Sequence, residues 1–137
     1  NAALAVEAFR LLESKMSESE VASALANTCH SGRLERLGKA PGFILDGAHN
    51  GDGAQALARY LRDNPVEGET VFVVAVKQPR DPTTLFEHWS DLASSWCLQS
   101  VEGVPMVPVD ELRAALPEDA VVREIGTDLD VTLTLVR

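Results

Sequence analysis

The sequence predicts an α/β fold, a mostly parallel sheet with flanking helices, preceded by two short helices. Three observations carry that expectation. Strand-like and helix-like segments alternate from residue 33 onward. The run TVFVVAV at 70–76 is uninterrupted and β-branched, as in a parallel strand covered on both faces. A glycine-rich turn, GAHNGDG at 47–53, joins a short apolar strand to a helix.

Taken in order, Leu4, Ala8, Leu11 and Leu12 recur at helical spacing and predict a first helix over residues 2–14. Ser17 and Glu20 form an S-x-x-E capping box that opens a second helix ending near Asn27. The small, polar stretch 28–32 reads as a linker, which puts a domain boundary between residues 1–27 and 28–137. RLERL at 33–37 reads as a strand, 38–41 as a turn, and 42–46 as a second strand pairing back as a hairpin. Ala54, Leu57, Ala58 and Leu61 keep the helical period, with Asn50 or Asp52 as N-cap.

The 70–76 run is expected at the sheet centre. Asp81-Pro82 opens a helix whose face is Leu85, Trp89, Leu92 and Ala93, and 96–101 reads as the next strand. Asp110 is expected to cap a short helix through Leu116, which Pro117 ends, and 121–125 reads as another strand. Right-handed crossovers would join such strands. In the tail, 128–137, Val131, Leu133 and Leu135 alternate with threonines as in a strand.

Composition narrows the function. The chain has 137 residues, 45% of them apolar, enough for one domain with a sizeable core plus a short appendage. A net charge of −9 and the lack of any basic run disfavour nucleic acid, whose affinity comes from clustered Lys and Arg. The longest strongly apolar run, 71–76, is far short of the roughly 20 residues that span a bilayer, so no membrane partner is expected. Cys29 and Cys97 belong to no CxxC pair, which points to reduced thiols rather than a disulfide framework or zinc cluster. With no basic leader, a cytoplasmic location is expected. The chain begins without Met, inside a helical pattern, and is expected to be a piece of a longer protein.

The residues that can carry chemistry lie at the carboxyl ends of predicted strands, where open α/β sheets form ligand crevices. In DGAHNGDG the glycines let backbone approach a ligand, and the free amides of the following helix attract anions. Asp46 can accept hydrogen bonds from a ribose or hold a cation, and His49 can donate to an anionic group. The competing reading is that Asp, Gly and Asn merely cap the turn. Arg33, after Gly32, can present a fixed fork to phosphate, and Arg80-Asp81 stands past the 70–76 strand, where helix capping also explains Asp81. GxxxxGK[ST] and GxGxxG are both absent, which argues against triphosphate binding by this chain alone. Neither the remaining His and Trp residues nor the acidic stretch 102–119 forms a metal-ligand pattern.

The string Ala26-Asn27-Thr28, then Gly32-Arg33-Leu34-Glu35, then Ile44-Leu45-Asp46-Gly47-Ala48-His49-Asn50 resembles the opening of the C-terminal domain in folylpolyglutamate synthase and dihydrofolate synthase, members of the Mur ligase superfamily. The resemblance implies a Rossmann-like C-terminal domain over 28–137, lacking the family's last strand, and the helical end of a central ATPase domain over 1–27. It implies an ATP-dependent ligase that adds L-glutamate to folate or dihydropteroate through an acyl phosphate, with this domain as a lid inactive by itself. His49 would be catalytic and face the phosphate or incoming glutamate, and Arg33, Asp46, Asn50 and Arg80 would bind the nucleotide. Mg2+ would sit in the central domain.

The family usually has Trp-Pro where His30-Ser31 stand, proline at Gly51 and Lys at Arg80, and it places a helix at 128–137, the reading adopted here. Two alternatives are another Mur-type ligase, acting on a peptidoglycan precursor or cyanophycin, and a non-catalytic nucleotide-binding or interaction domain.

Overall fold

The computed structural model describes residues 2–12, 16–38, 42–126, 128, 130, 132 and 134. Most of the 38–41 turn and parts of the expected first helix and tail lie outside these residues.

Helices α1 (Ala2–Leu11) and α2 (Glu18–Ala26) bury none of their residues. The expected capping box is present. The Glu20 amide donates to the Ser17 hydroxyl at 3.3 Å, and the Ser17 amide donates to the Glu20 carboxylate at 2.8 Å. The backbone bond, helped by the Ser17 hydroxyl and only opposed by desolvation, holds the Glu20 carboxyl below its ordinary pKa.

Strands β1 (Glu35–Leu37) and β2 (Phe43–Leu45) form the expected antiparallel hairpin, with Arg36 opposite Ile44. Helix α3 (Gly51–Asp63) follows and takes Asn50, not Asp52, as its cap: the Gly53 amide donates to Asn50 Oδ1 at 2.9 Å. The Arg36 guanidinium donates to the Tyr60 hydroxyl, tying hairpin to α3.

Strands β3 (Val71–Val74), β4 (Ser95–Gln99) and β5 (Val122–Gly126) form a parallel sheet in that order, confirming the α/β class. The centre is β4, all five residues of which are buried, and not the β-branched run as expected. Among the described residues strand β3 pairs only with β4, and its other side opens on a cleft of about 280 Å³ facing the hairpin. The hairpin is a separate two-stranded sheet.

Helix α4 (Thr83–Trp89) is shorter than the periodicity predicts. Leu92 and Ala93 follow it in a turn, yet still pack against the core. Asp81 starts the helix by accepting from the Thr83 amide at 2.9 Å. Helix α5 (Val109–Ala114) has Pro108 at its cap position, so Asp110 lies inside the first turn instead of capping it, where its charge still suits the helix dipole.

The core joins α3, α4, α5 and the sheet through Ala54, Ala58, Phe86, Trp96, Leu98 and Leu112. Phe72 lies 5.6 Å from Trp89 and 5.1 Å from Trp96, ring centre to ring centre, so an aromatic cluster locks β3, α4 and β4. In the tail Asp130, Thr132 and Thr134 are helical, in line with the helix reading over the local alternation. Buried Gln99 donates to the Thr132 hydroxyl at 2.7 Å and fastens this segment to the end of β4. No helix among the described residues is long and apolar enough to cross a membrane.

Candidate functional site

The turn between β2 and α3 is wired to itself. Asp46 Oδ1 accepts from the Ala48 amide at 2.8 Å, the Asx geometry that Asp favours before a turn. His49 Nδ1 lies 2.8 Å from the Gly47 carbonyl oxygen. A carbonyl only accepts, so Nδ1 carries the proton, and Nε2 of this exposed ring is left to accept from or bind a ligand when the ring is neutral. Asn50 then caps α3.

The 32–34 segment is docked against this turn. The Gly47 amide donates to the Gly32 oxygen at 2.7 Å, and Asp46 Oδ2 accepts from the Leu34 amide at 2.9 Å. The approach at Gly47 is close: a Cβ there would stand 3.3 Å from the Gly32 oxygen, which would have to give by a few tenths of an ångström, and 3.6 Å from an Arg33 guanidinium nitrogen. Arg33 therefore lies across Gly47. It is exposed, in a bend just before β1 rather than in the strand as expected. Among the described residues its guanidinium has no hydrogen-bond or ion-pair partner.

Arg80 is half-buried beyond the end of β3, its guanidinium 3.5 Å from the Lys77 carbonyl oxygen, a weak contact. Helices α3 and α4 begin side by side, since a Cβ on Gly51 would lie 4.0 Å from the Thr84 oxygen. Of the five predicted site residues, the structure brings Arg33, Asp46, His49 and Asn50 together around one turn. Asp46 borders the 280 Å³ cleft, whose lining is mostly apolar and does not include Arg33, His49, Asn50 or Arg80.

Two participants escaped the sequence reading. Leu34 holds a left-handed backbone, φ 48°, which nothing about leucine signals. Glu35 accepts from the Gly32 amide at 2.8 Å, a bond that the i, i+3 spacing beside a glycine would have allowed.

Chemically, the free cationic fork of Arg33 suits an anion such as phosphate, and Nε2 of the neutral His49 ring suits a donor such as an amine or hydroxyl. The residues present do not fit a divalent cation. Both Asp46 oxygens are engaged by amides, and no group of three His, Cys, Asp or Glu among the described residues could hold a metal. Asn50 Oδ1 is likewise taken by its helix.

A three-stranded parallel sheet flanked by helices, with an antiparallel hairpin, a glycine turn and α3 beside it, puts the domain in the α/β class. The family within that class is given by sequence: the dihydrofolate synthetase C-terminal domain family matches residues 34–112, more than half of the chain, and the chain belongs to that family. No curated protein sequence matches.

Among solved structures, E. coli FolC in complex with DHPP and ADP is 20% identical with a TM-score of 0.84, covering 98% of this chain and 32% of its own. Mycobacterium tuberculosis folylpolyglutamate synthase complexed with ADP and AMPPCP is 24% identical with a TM-score of 0.75, covering 93% and 30%. A bifunctional folylpolyglutamate synthase/dihydrofolate synthase with Mn, AMPPNP and L-glutamate bound is 22% identical with a TM-score of 0.73, covering 90% and 29%. The chain thus spans about a third of the length of these proteins, and the likeness establishes the shared fold.

Proposed function

We propose that this chain is the C-terminal lid of a cytoplasmic ATP-dependent amide ligase that adds L-glutamate to folate or dihydropteroate. Residues 28–137 form the lid, and 1–27 close a central ATPase domain that supplies the triphosphate loop and the Mg2+ site. The exposed Leu4 and Leu11 of α1, with Leu12 just after it, support that division, because an apolar face with no buried residue calls for a neighbour. The chain alone would be inactive.

The observation that carries the reading is the unpartnered Arg33 guanidinium held over Gly47, beside the free Nε2 of His49, in a chain of this family. ATP supplies the phosphoryl group that activates the acceptor carboxylate. The residues of this chain bind and orient. Arg33 meets phosphate oxygens with two parallel N–H donors, and Arg80 adds positive charge from the end of β3. His49, its Nδ1 proton fixed on Gly47, offers Nε2 as an acceptor to the amine of the incoming glutamate. Asn50 fixes the start of α3, whose amides face the same anion.

The test is glutamate incorporation by the intact protein. With dihydropteroate or a reduced folate, labelled glutamate should enter the product with one ATP hydrolysed per bond. No turnover with any pteroate or folate would overturn the proposal, and turnover with a peptidoglycan precursor instead would move the chain to another Mur-type ligase.

A further inference from the structure

We infer that Glu35 is a positioning residue for Arg33, a clamp on the turn that presents the arginine to phosphate; this rests on the nucleotide reading above. His30, Ser31, Gly32 and Arg33 form a four-residue turn, closed by the bond from the Arg33 amide to the His30 oxygen at 3.0 Å. Gly32, its third residue, has φ 69°, while Ser31 has no such left-handed value, which is the sign pattern of a type II turn. The Gly32 amide takes no part in the closing bond. The Glu35 carboxylate accepts from that amide at 2.8 Å, in a half-buried contact. A bond from an amide to a carboxylate is of the stronger, charge-assisted kind.

The bond bridges Arg33 and Leu34, closing a ring around the two residues whose backbone decides where the guanidinium goes. Both neighbours of Arg33 are left-handed, Gly32 at 69° and Leu34 at 48°, and leucine avoids that region because its Cβ approaches the following carbonyl oxygen. The chain therefore needs restraint on both sides of the arginine. Glu35 supplies it from a fixed base, since it is the first residue of β1 and stands opposite Leu45 in the hairpin. The Gly32 oxygen accepts from the Gly47 amide at 2.7 Å, which seats the clamped turn on the DGAHN turn. Among the described residues no ion pair joins Glu35 to Arg33, so the carboxylate restrains the backbone and leaves the guanidinium over Gly47 open to an anion. Without the clamp, Gly32 and Leu34 relax toward other backbone conformations and carry Arg33 off Gly47.

The test is a double-mutant cycle on ADP binding to the intact protein, measured by calorimetry for R33A, E35A, E35Q and R33A/E35A. R33A should weaken ADP on the order of tenfold, the loss of a charge-assisted contact, and E35A should weaken it several-fold. E35Q keeps an acceptor oxygen for the Gly32 amide and should recover most of what E35A loses. In the R33A background E35A should cost nothing more, because the clamp then has no guanidinium to present. The inference fails if E35A leaves ADP binding unchanged, if it weakens ADP equally with and without Arg33, or if E35Q binds as weakly as E35A.

If R33A binds ADP normally, the nucleotide reading fails instead, and the clamp is judged from Arg33 itself. A crystal structure of the E35A protein with Arg33 swung away from Gly47 upholds the clamp, and one with Arg33 still across Gly47 overturns it. Should E35A not fold, E35D takes its place in the same comparisons, since it keeps the charge but is one methylene shorter on the way to the Gly32 amide.

Discussion

The indole Nε1 of Trp89 donates to the main-chain oxygen of Ala54 at 3.0 Å, inside the protein. This single bond ties the last turn of α4 to the first turn of α3, the helix that the DGAHN turn introduces. Trp89→Phe removes the donor and shrinks the ring, and should lower stability by about 1–3 kcal/mol. Trp89→Ala should cost about 3–5 kcal/mol, since the Phe72 and Phe86 rings lose a neighbour. Urea unfolding read by the fluorescence of Trp96 checks both values.

Asn50 acts through its cap. Asn50→Ala should destabilise α3 by about 1 kcal/mol, whereas Asn50→Ser or Asn50→Asp, each with a side-chain oxygen for the Gly53 amide, should stay within a few tenths. Thermal unfolding separates them. A large loss of nucleotide affinity in Asn50→Ser at unchanged stability would instead make Asn50 a ligand.

Thr132→Val tests how the tail is fastened. Valine keeps the shape but leaves the buried Gln99 amide nitrogen without its acceptor, at a cost of about 1–3 kcal/mol. Hydrogen exchange at the Thr132 amide, which donates to the Asp128 oxygen, should accelerate at the same time.

Acid should loosen α2 before it touches the core. The folded pKa of Glu20 is depressed, so the stability it contributes is complete above its ordinary value and disappears as pH falls through the lower, folded one. The Glu20 amide shift, followed by NMR from neutral to acidic pH, should report the loss, and Glu20→Ala should flatten that profile.

Local signals in the sequence were reliable guides. Ser17-x-x-Glu20 and Asn50 before Gly53 announce caps because their bonds close within three residues. The hairpin was legible from its two short apolar runs about a turn, and the DGAHN turn is where the candidate site was expected. What failed depends on distance along the chain. TVFVVAV reads as a central strand, yet SWCLQ with its serine and glutamine takes the centre, because pairing with both β3 and β5 is decided by packing of residues far apart. The bond from the Leu34 amide to the second oxygen of Asp46, twelve positions away, has no local signal. The left-handed Leu34 has no local mark at all.

The turn from Asp46 to Gly53 is closed by bonds among its own atoms. Its loss of conformational entropy is therefore incurred during folding and not at the moment of encounter. A ligand arriving there meets a surface already shaped, and variants that break one of these bonds should shorten the residence time of the complex more than they slow its formation.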